Sequence, residues 1–238
     1  MPGTWLILPT YNEAENLEPM VDAALPRLAA DADTDPTILV VDDGSPDGTG
    51  AIADRLTADR AEVRVLHRTT KEGLGRAYLA GFAVALHGGA ERIVQMDCDF
   101  SHDPADLPRL IAAAEAADLV LGSRYVPGGG VENWALHRRV LSQGGCAYAR
   151  LVLGLPVRDL TGGFKCWNRS ALERLDLTGV DAHGYGFQIE TTYRAIQAGL
   201  RVTEVPIVFR ERREGQSKMT ARIAFEAIWK VPALRLRA

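Results

Sequence analysis

Arg92-Ile93-Val94-Gln95-Met96-Asp97-Cys98-Asp99 passes from an apolar run directly into two carboxylates two residues apart. An apolar run this short reads as a buried strand, and the acids mark where it leaves the core. Side chains alternate along extended backbone, so positions 97 and 99 face the same way and can share one hard divalent cation. The same residues also suit an ordinary polar loop opening, because Asp is common where strands end. The surrounding chain has to separate the two readings.

Toward the N-terminus, apolar runs alternate with helical patterns. Trp5-Leu6-Ile7-Leu8 reads as a strand broken by Pro9, and a helix follows over Asn16–Ala30. Thr37–Val41 and Val63–Leu66 are further strands, with helices over Gly50–Ala58 and Leu74–Leu86. Beyond Arg92–Met96 come a helix over Pro104–Ala116 and a strand at Leu119–Gly122. This alternation implies right-handed crossovers and an α/β fold, a Rossmann-like, mostly parallel sheet with helices on both faces. Ligands of such sheets bind beyond the carboxyl ends of the strands. Pro9-Thr10-Tyr11-Asn12-Glu13, Asp42-Asp43 and Asp97-Cys98-Asp99 all fall there. Three acidic loops along one edge favour a cation-and-nucleotide site. No P-loop lysine motif and no Gly-x-Gly-x-x-Gly after the first strand is present, so the corresponding phosphate-binding readings fail.

Gly128-Gly129-Gly130 opens a different second half. Trp134–Leu155 is mostly helical in pattern, with His137, Arg138 and Arg139 among its apolar positions. Thr161-Gly162-Gly163-Phe164-Lys165 reads as a tight loop. Helices near Ser170–Leu175 and Phe187–Ala198 and a strand over Val202–Phe209 follow, and Thr220–Leu234 mixes basic and apolar residues in a way that suits either a membrane surface or a packed helix. The 238 residues, 47% hydrophobic and 24% charged, fit one domain: a nucleotide-sugar half (1–127), an acceptor half (128–219) and a basic amphipathic tail (220–238). Residues 201–238 hold nine Arg or Lys against four Glu, while the whole chain carries −4. A basic end on an acidic body suits an anionic partner, although a solvated charged face gives the same pattern. Cys98, Cys146 and Cys166 have no disulfide-framework or zinc spacing and suit a reducing compartment. No signal segment or run of about 18 apolar residues is seen, so the expectation is a cytoplasmic protein, peripheral on the inner face of a membrane.

Leu8-Pro9-Thr10-Tyr11-Asn12-Glu13, Val41-Asp42-Asp43-Gly44-Ser45-Pro46-Asp47-Gly48-Thr49, Gly73-Leu74-Gly75, Asp97-Cys98-Asp99-Phe100-Ser101-His102, Gly122-Ser123-Arg124-Tyr125 and Asp159-Leu160-Thr161-Gly162-Gly163-Phe164 together resemble family 2 glycosyltransferases of the GT-A fold. Within that family they are similar to the polyprenol (dolichol) monophosphate mannose synthases, as is Gly215-Gln216-Ser217-Lys218. Cys98 departs from the usual alanine. The resemblance implies metal-dependent, inverting transfer of mannose from GDP-mannose to a polyprenyl phosphate lipid; nucleic acid is not among the expected partners. It implies that Asp97 and Asp99 hold Mg²⁺ or Mn²⁺. Donor contacts are expected from Pro9, Tyr11, Glu13, Val40, Asp42 and Asp43, and from Asp97, Cys98, Asp99, Arg124, Arg212 and Lys218. Asp99, Arg124, Arg212 and Lys218 are the expected catalytic set.

A lipid phosphate is already an anionic nucleophile near neutral pH, so it needs charge compensation more than a general base. Arg124, Arg139, Arg212 and Ser142 are the expected acceptor-phosphate residues. Only one of Arg138 and Arg139 is expected to reach a phosphate. His102 stays outside the metal set as a local hydrogen-bonding residue, and a role for Glu190 with a phosphate acceptor is doubtful. Three other readings stand beside this one: the same fold with a UDP-sugar donor, a phosphatase built on the two aspartates, and a non-catalytic sugar-nucleotide-binding module. The phosphatase reading wants its carboxylate pair after the first strand, whereas here it follows the fourth.

Overall fold

The apolar runs of the first half become four adjacent parallel strands because each has two faces to bury. They are β1 (Gly3–Thr10), β2 (Asp35–Asp42), β3 (Val63–His67) and β4 (Ala90–Gln95), arranged β3-β2-β1-β4. The computed structural model describes residues 3–29, 35–180, 184–211 and 229–236. Helices α1 (Ala14–Leu28), α2 (Thr49–Asp59) and α3 (Leu74–His87) make the crossovers. Alternation along the strands feeds two apolar layers. Trp5, Ile7, Leu39 and Val41 pack with Tyr78 and Phe82 of α3 on one face, while Leu6, Leu8, Ile38 and Val40 pack with Leu17 and Met20 of α1 on the other.

A short 3₁₀ turn (Pro104–Asp106) then leads into α4 (Leu107–Ala113) and β5 (Leu119–Ser123). The second half adds β6 (Gly130–Val131), α5 (Leu136–Leu153), β7 (Lys165–Asn168), α6 (Arg169–Arg174), α7 (Gly184–Gln197), β8 (Val202–Pro206) and β9 (Val208–Phe209), and residues 229–236 are helical. The seven-stranded sheet runs β3-β2-β1-β4-β7-β5-β8, and β6 pairs with β9 apart from it.

Two expectations need correction. Pro9 does not break β1. Ile7 O accepts from Met96 N on the β4 side, and Thr10 O accepts from Asp43 N on the β2 side. Alternation therefore turns Pro9 toward β4, whose ladder ends at Gln95, so the missing N–H leaves no gap. The second correction is β7, which was read as the end of a tight loop. It inserts antiparallel between β4 and β5, with Cys166 opposite both Val94 and Val120. Lys165, at its start, is fully buried, and Trp167 Nε1 donates to Gln95 Oε1 at 2.6 Å.

All carboxyl ends of the parallel strands point to one edge, where the loops after β1, β2, β4 and β5 meet. That edge depends on close seating of α3. A Cβ on Gly81 would lie 2.7 Å from Ile7 Cγ2, inside the core of β1. Gly81→Ala is expected to cost about 1–3 kcal/mol by overpacking, read as a lower urea midpoint with unchanged slope. An unchanged midpoint would show that α3 can shift at no cost.

Candidate active site

The loops after β1 and β2 are cross-linked before any ligand arrives. Asn12 N donates to Ser45 Oγ at 3.1 Å, Glu13 N to Thr49 Oγ1 at 2.9 Å, and Ala14 N to Asp47 Oδ2 at 3.1 Å. The Asp42–Thr49 stretch can turn this tightly because Gly44 and Gly48 adopt positive φ. Asp42 is buried and takes hydrogen bonds from Thr10 Oγ1, from Ser45 N and from Ser45 Oγ. Asp43 is paired with Arg68 Nη1 at 2.6 Å. Burial pushes its carboxyl up from the ordinary range, with Arg68 opposing. Tyr11 lies beneath the Lys71 ammonium, whose Nζ is 3.6 Å from the ring centroid. Pro9 is half-buried at the loop's start.

At the end of β4 the two aspartates are held by different partners. Tyr78 OH donates to Asp97 Oδ1 at 3.2 Å, and Ser101 N donates to Asp99 Oδ1 at 3.0 Å. Burial, reinforced by Asp97 and Asp99, holds the Tyr78 hydroxyl protonated far above its usual range. Cys98 points the other way, into the core, where burial raises its thiol. The side chain of Val40 also lies wholly in the core, so a donor contact at position 40 or 98 would come from the backbone. His102 is buried and neutral between Phe164 and Phe209, burial having lowered its pKa.

Asp97 and Asp99 supply hard oxygen donors only, and no group of three or more potential metal ligands exists among the described residues. That donor set fits Mg²⁺ or Mn²⁺, which commonly take one or two protein carboxylates and complete their shell from substrate phosphates. It does not fit a closed structural metal site.

Arg124 directly follows β5 on the same sheet edge. Its Nε and Nη2 donate to the two oxygens of Asp159, each at 2.7 Å, and Nη2 also reaches Thr161 Oγ1. Burial works against the guanidinium's charge, but Asp159 outweighs it and the pKa rises. Burial likewise pushes against Asp159, and the charge and hydrogen bonds of Arg124 bring its carboxyl below the usual range. A cavity of about 490 Å³ adjoins Arg124, lined among others by Tyr125, Gln143, Cys146, Arg150 and Arg158. Tyr125 OH donates to the buried Ser142 Oγ at 2.7 Å.

Arg139 is exposed and donates to Val131 O. Arg138, one turn before Ser142, lies with its guanidinium carbon 4.1 Å from the Trp134 ring centroid, and that same ring lies 5.8 Å from Arg124. Of the two neighbours, the structure thus gathers Arg138 beside Arg124 and turns Arg139 outward. Glu190 is buried and paired with Arg194 at 2.6 Å. Arg212 and Lys218 lie outside the described residues, as does His183. Sequence reasoning missed Asp159 as the partner of Arg124, Lys165 and Gln188. The Lys165 ammonium is buried against Gln188 O, Thr191 Oγ1 and Thr192 Oγ1, and burial lowers its pKa to about 7.

A family model for glycosyl transferase family 2 matches residues 5–176. The chain belongs to glycosyl transferase family 2. It is 50% identical to the polyprenol monophosphomannose synthase of Mycolicibacterium smegmatis over 98% of this chain and 87% of that protein. With the undecaprenyl-phosphate mannosyltransferase of Micrococcus luteus it shares 48% identity over 98% of this chain and 93% of the relative. Two solved structures share the fold at 20% identity. One is glucosyl-3-phosphoglycerate synthase of Mycobacterium tuberculosis with Mn²⁺, UDP and phosphoglyceric acid, at TM-score 0.72 over 98% of this chain and 78% of that one. The other is a mannosyltransferase of Pyrobaculum calidifontis with GDP-Man and Mn²⁺, at TM-score 0.67 over 100% of this chain and 65% of that one. The GT-A architecture expected from sequence is thereby shown, with β7 as its antiparallel member.

The Arg124–Asp159 pair gives this family 2 glycosyltransferase a testable acid limit. Asp159 titrates lower when folded than when unfolded, so its contribution is full above the unfolded carboxyl value and is lost as pH falls through the folded one. Asp159→Asn is expected to cost about 3–5 kcal/mol by leaving Arg124 buried and unpaired. It should also flatten the loss of stability below about pH 4. A variant matching the parent in both denaturant midpoint and acid limb would contradict this account.

Proposed function

We propose that the protein transfers mannose from GDP-mannose to a polyprenyl phosphate, with inversion at the anomeric carbon. The observation that carries this reading is the two-part site: paired aspartates after β4 and a charge-fixed arginine after β5 lie along one sheet edge, the arginine beside a cavity to which Arg150 and Arg158 add positive charge. Two phosphorylated partners need opposite provisions, a cation-binding acidic edge for the diphosphate and fixed guanidinium charge for the phosphate. The names of the two close relatives supply mannose and the polyprenyl class.

Asp97 and Asp99 would hold Mg²⁺ or Mn²⁺, which when bound offsets charge on the departing diphosphate. The cross-linked loops after β1 and β2 seat the nucleoside, with Tyr11, Glu13, Asp42 and Asp43 at hand. A phosphate oxygen of the acceptor attacks the anomeric carbon as the bond to the β-phosphate oxygen breaks, releasing GDP and giving the inverted mannosyl phosphate. Arg124 stays charged throughout and lowers the repulsion between the two anions, with Arg138 and Ser142 on its flank. Arg212 and Lys218, outside the described residues, belong to the same proposal as further cations. No proton transfer is required of Glu190, which Arg194 occupies.

GDP release should require both a short polyprenyl phosphate and Mg²⁺ or Mn²⁺, and Asp97→Asn should lower turnover by at least about a hundredfold without unfolding the protein. Release of UDP from UDP-sugars in preference to GDP would overturn the donor. Release unaffected by chelator would overturn the metal.

The acceptor also needs a lipid surface. No helix among the described residues is long and apolar enough to cross a membrane. Along α5, however, Leu136, Val140 and Leu151 are 75%, 61% and 82% exposed and share one helical face with Gly144 and Ala147. Arg139 and Arg150 flank that face. Arg235 donates to Val152 O at 2.7 Å, bringing the 229–236 helix, with exposed Trp229 and Leu236, alongside. We read this as a peripheral membrane surface on the cytoplasmic side, a compartment that suits three free, buried cysteines. Replacing Leu136, Val140 and Leu151 with Ser should weaken binding to anionic vesicles by at least about tenfold, and salt should weaken the parent's binding. Unchanged or salt-independent binding would refute it.

A further inference from the structure

We propose that Gln188 reads the transferred sugar through two neighbouring hydroxyls, and is a specificity-determining residue of the donor site. Gln188 lies in α7 and is 2% exposed, yet neither its amide nitrogen nor its carbonyl oxygen has a hydrogen-bond partner among the described residues. Leaving both ends of a buried amide unsatisfied costs stability on each, so each end calls for a partner. The side chain is not there by looseness of its element. Its backbone oxygen accepts from Thr192 Oγ1 at 3.0 Å within the helix and from Lys165 Nζ at 2.8 Å, and the latter fixes this turn against β7.

Its position relative to the aspartates is marked by Gly163. A Cβ built there would be 3.5 Å from Gln188 Nε2 and 3.6 Å from Asp97 Oδ2, so amide and carboxylate flank one point that no side chain occupies. Gly163 is outside the positive-φ set, and those distances are ordinary contacts. Neither backbone conformation nor a clash therefore demands glycine at this point.

Chemistry identifies what the amide meets. A phosphate accepts only, and would satisfy the amide N–H while facing the amide oxygen with negative charge. Adjacent hydroxyls satisfy both ends, one oxygen accepting from Nε2 and the other hydroxyl donating to Oε1. With the nucleoside seated by the loops after β1 and β2, the hydroxyl-bearing group on the other side of a diphosphate held at Asp97 is the hexose of the donor. The inference thus rests on the donor reading above and adds the residue that distinguishes the sugar nucleotide from the bare nucleotide.

Calorimetry with Mn²⁺ separates the two, using GDP-mannose and GDP as probes of the full chain. Gln188→Leu should bind GDP as the parent does and GDP-mannose at least about tenfold more weakly. Its unliganded melting temperature should not fall, because two unsatisfied atoms are removed. Gly163→Ala, which fits without a clash, should show the same selective loss by filling the space between amide and carboxylate. Equal weakening of GDP and GDP-mannose, or no weakening of either, overturns the proposal. If the parent instead binds a different sugar nucleotide, the donor reading fails, and the same comparison is made between that sugar nucleotide and its nucleoside diphosphate. A parent that binds no sugar nucleotide overturns both.

Discussion

One buried ion pair holds the working parts of the protein in register. Taking Arg124 and Asp159 out of water separately would cost several kcal/mol each, so neither tolerates the other's displacement. Asp159 is itself fixed, because Glu204 of β8 accepts from the backbone N–H groups of Arg158 and Asp159 at 2.8 and 2.9 Å. Thr161 and Cys146 close the ring from the following loop and from α5. The end of β5, the loop before β7, the middle of α5 and β8 thus converge on one guanidinium. A guanidinium held by so many partners is fixed in place before any ligand is present.

The acidic edge follows the opposite logic. Its carboxylates lie at the ends of β2 and β4 because alternation and strand order bring them there, and like charges so placed must be shared out. Asp43 is given to Arg68, Asp42 to the Thr10 and Ser45 hydroxyls, and Asp97 to a tyrosine that burial keeps protonated. What looks in sequence like a row of equivalent acids is divided into two that hold the loop after β2 together and two whose spacing suits a cation.

That division explains what could and could not be read from the chain. The parallel strands were legible because each is a short apolar run and its polar ending is abrupt. Pro9 misled because its cost depends on which neighbour its missing N–H would have faced, a property of strand order. β7 was hidden by Lys165, a charged residue wholly inside the core, whose partners come from a helix more than twenty residues later. Arg138 and Arg139 are adjacent in sequence, and only the helix phase set by Ser142 and Cys146 tells which one turns inward. Gln188 carries no motif signal, since an unsatisfied amide is visible only once its surroundings exist.

The strand order also dictates when the sheet can be completed. β5 pairs with β7 and with β8 and with no earlier strand, although every one of its residues is buried. As the chain leaves the ribosome, β1 to β4 can pair as they emerge, but Leu119–Ser123 must wait for segments made much later. During that interval an apolar edge has no partner, and β4 exposes the edge that β7 will cover. The β1–β4 half of the sheet can therefore pair before the half that β7 completes.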